Sequence, residues 1–263
     1  MLRVYKAYAK VNIFLKITGT RDNYHEIVSR FMRVGSLYDE ISFLLKSSKE
    51  FKIIGDFACE TEQNTIYKAY LALRDYIESD ELDLLMERYA ICVKKSIPAF
   101  AGLGGGSSDA ATYLKMCNKV LDLGLSLEEL ATVGLKVGAD VPFFIYGYSS
   151  ANVSGIGEIV EKFDEKVLDF EIYTPDVEIS TPKVYKSYRE NFFNPIDSST
   201  ADKLKKTSSL DILNSMKIDE VNDLYNPAKL EYKELEKSHK DGYYFSGSGS
   251  SFFRVKTEER TDG

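Results

Sequence analysis

Apolar and polar positions alternate over residues 2–17, with Val11, Ile13, Leu15 and Ile17 on one face and Lys10, Asn12 and Phe14 on the other, the two-residue period of a strand. A polar turn at 19–26 displays Tyr24 and His25, and Asn23 within it tolerates a left-handed backbone. Apolar residues then return over 31–45 around Tyr38-Asp39-Glu40, which predicts two strands with a tight connection. Asn64 or Thr65 caps a helix whose stripe is Ile66, Ala69, Tyr70, Leu73 and Ile77, and 89–95 reads as a short strand. Beyond a glycine-rich stretch, Ala110, Ala111, Leu114, Met116 and Cys117 fit a helix capped by Ser107 or Ser108. Ser126-Leu127-Glu128-Glu129 is a capping box opening a helix that ends near Gly138. The apolar run 141–145 predicts a strand, and 150–160 another, bent at Gly155 and Gly157.

The pattern restarts in the second half. A strand is expected at 170–175, a helix from Thr181-Pro182 with Thr181 as its cap, a polar loop over 194–206, a helix over 226–237, and a strand at 242–245. That last strand runs into a second glycine-rich turn, Ser246-Gly247-Ser248-Gly249-Ser250-Ser251. Two domains are expected, 1–155 and 156–256, with a disordered tail at 257–263. No internal repeat is visible.

Composition narrows the class. With 44% hydrophobic and 29% charged residues in 263, the chain suits soluble globular domains. No apolar run approaches the roughly 20 residues of a membrane span. The amino-terminal strand pattern lacks the order of a signal peptide, so a cytoplasmic protein is expected. Cys59, Cys92 and Cys117 lack metal-ligand spacing and read as reduced core or near-core thiols. A net charge of −7 argues against broad nucleic-acid or anionic-membrane binding, so an anionic ligand would need a locally positive pocket.

The candidate chemistry centres on Pro98-Ala99-Phe100-Ala101-Gly102-Leu103-Gly104-Gly105-Gly106-Ser107-Ser108-Asp109. Gly102, Gly104, Gly105 and Gly106 let the backbone take positive φ and bring N–H groups close to an anion, at the positive end of the following helix. No Gly-Lys-Ser/Thr follows, so this is not a Walker A loop and a cation must come from elsewhere. Lys10 taken alone reads as a solvated strand lysine, whereas Asn12 is a residue type depleted in strands. Asp140, between small residues and an apolar run, reads equally as a turn residue or as a carboxylate whose neighbours control it. The second glycine-rich turn also suits a backbone that contacts phosphate.

Three pieces in this order, 7–12, 98–109 and 246–251, resemble the signatures of the galactokinase, homoserine kinase, mevalonate kinase and phosphomevalonate kinase superfamily. Ala9-Lys10-Val11-Asn12-Ile13-Phe14-Leu15, Asp22-Asn23-Tyr24-His25, Gly138-Ala139-Asp140-Val141-Pro142 and Asn222-Asp223-Leu224 are similar to one branch. That branch phosphorylates a small alcohol carrying cytidine diphosphate in non-mevalonate isoprenoid synthesis. Two positions depart from the pattern: Asn23 and Phe100 stand where glycine is usual.

The resemblance implies a two-domain α+β kinase with its active site in the interdomain cleft, using ATP and Mg²⁺. It implies that ATP phosphates lie against the loop from Pro98 through Gly102, Leu103, Gly104, Gly105 and Gly106, with the Ser107 or Ser108 hydroxyl near them and near the metal, whose ligands stay unassigned. Lys95 is placed on the nucleotide side, Asp140 as the base, and Lys10 as the cation beside the attacking hydroxyl. Tyr24 and Tyr185 would sandwich cytosine, His25 would read its edge, and Asn12 and Thr181 would contact the substrate. Gly247 and Gly249 would close against phosphate. The protein is expected to be a monomer or weak homodimer that engages a small-molecule cytidyl-diphosphate substrate and neither nucleic acid nor membrane. A sister kinase acting on homoserine or a mevalonate would not need the Tyr24-His25 pair. A non-catalytic nucleotide- or nucleic-acid-binding module is the third reading.

Overall fold

The computed structural model describes residues 3–256, so the tail expected at 257–263 lies outside the described residues. Strand β1 (Tyr5–Arg21) pairs along its length with β2 (Tyr24–Leu45), the two joined by Asp22 and Asn23. The positive φ of that turn falls on Asp22, at +54°, and not on Asn23. β2 is one continuous strand rather than two. Its irregularity is a bulge at Gly35, Ser36 and Leu37, since Val34 pairs with Ala9 and Tyr38 with Tyr8. The bulge lets the chain continue in register, and Asp39, expected in a tight connection between two strands, is carried into the interior with no exposed area.

β4 (Tyr89–Lys94) and β5 (Ser150–Gly155) share the other edge of β2, β3 (Ile53–Ile54) flanks β4, and β6 (Ile159–Lys162) flanks β5. The strand expected over 150–160 is therefore a hairpin, turned at Gly155 and Gly157, both at positive φ. Residue 156 lies in the turn of this hairpin, between β5 and β6. Helices α1 (Thr65–Ile77), α3 (Gly105–Val120), α4 (Leu127–Leu135) and α5 (Val141–Tyr146) pack on one side of the sheet around Phe31, Ile66, Leu73, Leu114 and Phe143. α2 (Glu81–Arg88) adds Leu82 and Met86 to this core.

Local chemistry explains most of these boundaries. Asn64 accepts a hydrogen bond from Ile66 N–H and opens α1, and the Ser126–Glu129 capping box opens α4. The run 141–145 is helical, not extended: Pro142 fixes a helical φ in the first turn, and Gly147 at φ +69° closes α5. Because Val141, Pro142, Phe143, Phe144 and Ile145 are all buried, the run shows no polar face by which its period could be read.

The second half forms a three-stranded sheet of β7 (Phe170–Tyr173), β9 (Phe252–Val255) and β8 (Tyr244–Phe245), in that order. The second glycine-rich turn thus joins two strands. α6 (Thr181–Asn191) is preceded by Ser180 at its cap position, so Thr181 is inside the helix. The polar stretch 194–206 contains α7 (Ser198–Lys206), capped by Asp197 and held by buried Ala201 and Leu204. α8 (Ser209–Ser215) and α9 (Ile218–Val221) follow, and the helix expected over 226–237 is two, α10 (Tyr225–Glu231) and α11 (Glu234–Ser238). Among the described residues no helix is long and apolar enough to cross a membrane. Cys117 is buried and Cys92 partly so, but Cys59 is exposed and belongs to no core.

β1 is buried on both faces because it serves three apolar clusters. Ala7 joins the helix-covered core, Ala9, Val11, Ile13 and Phe14 pack with Leu168, Phe170, Leu204 and Phe253, and Leu15 and Ile17 pack with Val184, Leu224 and Phe245. Each fully buried side chain of this size contributes roughly 1.5–3 kcal/mol. One strand therefore ties the two halves together and carries Lys10 and Asn12 to their junction.

Candidate active site

The site starts from β1. Lys10 Nζ donates to Asn12 Oδ1 at 2.6 Å and to the Gly102 carbonyl at 3.0 Å, and lies 3.4 Å from Asp140 Oδ2. Lys10 is 3% exposed, so it is no solvated strand lysine. Burial lowers its pKa, and the Asp140 carboxylate works against that shift. Asn12 in turn donates to Ser29 Oγ at 3.0 Å, which fixes the amide that the lysine holds. Asp140 precedes α5 without capping it, which leaves its carboxylate available to Lys10.

The first glycine loop lies directly against these groups. Lys10 N–H donates to the Leu103 carbonyl at 3.0 Å, and a Cβ on Gly104 would stand 2.8 Å from the Phe144 ring and 3.2 Å from Lys10 Cε. Gly102 and Gly104 have φ of +71° and +72°, the left-handed region that favours glycine. Gly104 occupies the cap position of α3, so Ser107 and Ser108 lie in its first turn and do not cap it. The N–H groups of a helix's first turn lack partners within the helix, which is what an anion site requires. Pro98 and Phe100, at the start of the loop, are exposed. Phe100 has φ +52°, which explains why glycine suits the position better.

Lys95 sits behind this loop. Its ammonium is held by Asp39 Oδ2 at 2.5 Å and Asp109 Oδ2 at 2.7 Å, and Asp39 Oδ1 accepts from the N–H groups of Ser96 and Ile97. Asp109 is pushed up to about 7 by burial, with Lys95 opposing and the Asp39 charge adding. A Cβ on Gly105 would lie 3.6 Å from Lys95 Nζ, and Thr65 Oγ1 donates to the Gly106 carbonyl at 2.7 Å. Asp39, Asp109 and Thr65 were not picked out from the sequence as site residues. Asp39 had the weakest signal, being one of three polar residues in what read as a turn.

The second half closes the site from across the junction. A Cβ on Gly102 would stand 2.1 Å from the Ser246 carbonyl, and one on Gly247 would stand 3.2 Å from Asn12 Oδ1. Ser251 N–H donates to the Ala101 carbonyl at 3.1 Å, so the two glycine-rich turns meet backbone to backbone. Gly249, with φ +93°, lies over the Phe245 ring. Thr181 Oγ1 and Ser248 Oγ share a hydrogen bond of 2.7 Å, which ties α6 to that turn.

His25 and Tyr185 meet with ring centroids 5.2 Å apart, and Tyr188 stands edge-on to His25 at 5.7 Å. Burial, with the Asp140 carboxylate adding, pushes the Tyr185 phenol up. Burial and the charge of Arg189 lower His25, and His25 Nε2 is buried without a hydrogen-bond partner. Tyr24, by contrast, is 64% exposed, and the ring beside Tyr185 is that of His25.

Residues 64–148 match the family described as GHMP kinases N terminal domain. With the mixed helices and sheets and the two facing glycine-rich turns, this defines an ATP-dependent small-molecule kinase of the GHMP class. A mevalonate kinase structure overlays with a TM-score of 0.62 over 98% of this chain and 92% of that one at 14% identity, a likeness of fold. A closer likeness comes from a crystal structure of 4-(cytidine 5'-diphospho)-2C-methyl-D-erythritol kinase, with a TM-score of 0.71, 27% identity, and coverage of 96% of this chain and 90% of that one. The 4-diphosphocytidyl-2-C-methyl-D-erythritol kinase of Sulfurimonas denitrificans is 65% identical over 262 residues, 98% of each chain. The chain belongs to the 4-diphosphocytidyl-2-C-methyl-D-erythritol kinase family.

Proposed function

We propose that this protein transfers the γ-phosphoryl group of ATP to the 2-hydroxyl of 4-diphosphocytidyl-2-C-methyl-D-erythritol, a step of the non-mevalonate isoprenoid route. The observation that carries the reading is the buried Lys10–Asp140 pair, whose ammonium also donates to the Gly102 carbonyl of the glycine loop leading into α3. Phosphoryl transfer needs positioning and charge neutralisation more than covalent help. The N–H groups at the start of α3 hold the phosphates, and Lys10 offsets charge between the γ-phosphate and the attacking oxygen. Asp140 takes the hydroxyl proton as the new oxygen–phosphorus bond forms, while the bond to the β,γ-bridging oxygen breaks and ADP leaves. Lys95 acts at a remove, by placing residues 95–97 beneath the loop.

A divalent cation fits as one that the nucleotide brings. Among the described residues no group of three or more His, Cys, Asp or Glu could hold a metal alone, and the Ser107 hydroxyl supplies an oxygen of the type Mg²⁺ takes beside phosphates. Bound there, Mg²⁺ would neutralise phosphate charge.

The cytidine end is recognised by His25 and Tyr185. The unpartnered Nε2 of a neutral histidine accepts from an amino group such as that of cytosine, and the Tyr185 ring offers a stacking face. Tyr24, exposed on the same hairpin, covers the base from the solvent side. The test is ADP release with 4-diphosphocytidyl-2-C-methyl-D-erythritol, methylerythritol phosphate, homoserine and mevalonate in turn. Turnover of the cytidyl compound and none of the others is expected; comparable turnover of methylerythritol phosphate would remove the base pocket from the account.

A further inference from the structure

The segment Asn222-Asp223-Leu224, between α9 and α10, is fastened to β1 and to the second glycine-rich turn by different side chains. Asn222 forms a parallel bridge with Leu15, and Asp223 N–H donates to the Leu15 carbonyl at 3.0 Å. Asp223 Oδ2 accepts from Ile17 N–H at 2.8 Å, and its other oxygen binds the Lys16 ammonium. Asp223 therefore serves the attachment to β1.

The Asn222 side chain serves the turn. Its amide nitrogen donates to the carbonyls of Phe245 and Gly247, both at 2.9 Å, and its oxygen accepts from Leu224 N–H at 2.9 Å. The residue is 1% exposed, so these groups have no water to fall back on. Only a primary amide places two donors on one atom beside an acceptor; a carboxylate there would set a bare oxygen against two carbonyl oxygens. In a planar trans peptide the N–H points opposite to the C=O. Turning the Gly247 carbonyl toward Asn222 thus turns Ser248 N–H away from it.

The same turn touches the catalytic groups. The place a Cβ would take on Gly247 is 3.2 Å from Asn12 Oδ1, the atom that receives Lys10 Nζ, and 3.3 Å from the Gly102 carbonyl. Any displacement of Gly247 is therefore felt by Asn12 and by the first loop.

We propose that Asn222 is a positioning residue for phosphoryl transfer, whose amide fixes the Phe245 and Gly247 carbonyls so that the turn presents the Ser248 N–H to the diphosphate of the cytidyl substrate. This rests on the function proposed above for the junction. Asn222 touches no reacting atom and acts through the turn alone.

The test compares Asn222→Asp with Asp223→Asn, both assayed at a temperature where thermal melting shows them folded. Two readouts are taken: kinetic constants, and hydrogen–deuterium exchange over residues 245–252. Asn222→Asp is expected to raise KM for the cytidyl alcohol and lower kcat, each by about tenfold, while leaving KM for ATP within about twofold, the effect of a lost buried hydrogen-bond pair. Its exchange over 245–252 is expected to quicken. Asp223→Asn is expected to melt earlier yet keep its kinetic constants and its exchange in the turn. Asn222→Ser, which keeps one donor, replaces the first variant if that one does not fold, with a smaller shift in the same direction. Unchanged constants and exchange in the Asn222 variant, or an equal KM shift in Asp223→Asn, would overturn the proposal. Lack of wild-type turnover with the cytidyl alcohol would instead overturn the proposed function, and the exchange data would still decide whether Asn222 holds the turn.

Discussion

Lys10 Nζ and Asp140 Oδ2 stand 3.4 Å apart, although 130 residues separate them, and the same ammonium donates to Asn12 Oδ1 and to the Gly102 carbonyl. One buried cation thus connects β1, the first glycine loop and the residue that precedes α5. A glycine loop with no lysine of its own receives its positive charge from a strand at the other end of the domain.

Lys10→Met keeps the stem and removes the charge. The variant is expected to lose kcat by on the order of 10²- to 10³-fold, the scale of a removed electrostatic donor. Asn12 Oδ1 and the Gly102 carbonyl lose their donor, so stability is expected to fall by about 1–3 kcal/mol as well. Steady-state kinetics at a temperature below the variant's melting midpoint separate the two effects.

Lys95 stands between two buried carboxylates. Lys95→Met leaves Asp39 and Asp109 facing each other without a cation, and a broken buried pair costs roughly 3–5 kcal/mol. A lowered urea midpoint is expected. An unchanged midpoint would mean that the loop is not held from behind by this cluster.

His25 gives a pH dependence with a definite sign. Its pKa is lowered from 6.5 by burial and by Arg189, so the unfolded chain takes up a proton at a higher pH than the folded one. Stability contributed at this position is intact above 6.5 and falls as pH drops through the folded value. His25→Gln is expected to flatten that dependence between about pH 7 and pH 5 in urea titrations. KM for the cytidyl alcohol is expected to rise over the same window in the wild type, because the protonated ring no longer offers an acceptor at Nε2.

Much of this arrangement was legible in the chain, and the exceptions have physical causes. The alternation of β1 put Lys10 and Asn12 on one face, and they are hydrogen-bonded. The glycine run marked the loop that lies against Lys10, and glycine's usual place at position 100 matches the positive φ that Phe100 adopts there. Asp39 was hidden because a three-residue bulge, invisible in hydrophobic periodicity, moves it from a turn to the interior. α5 was hidden because burial all round erases the period by which a short helix differs from a strand. The Lys10–Asp140 and Asn222–Gly247 contacts join positions distant in sequence, so only the folded chain brings them together.

Turnover of ATP with 4-diphosphocytidyl-2-C-methyl-D-erythritol by the wild type and by Asp140→Asn, both reactants saturating, tests the central claim most directly. The wild type is expected to release one ADP for each alcohol phosphorylated. The variant is expected to bind ATP as before and to lose kcat by roughly 10²- to 10⁴-fold, the range of a removed general base. Equal rates of ADP release from the two proteins would contradict the account.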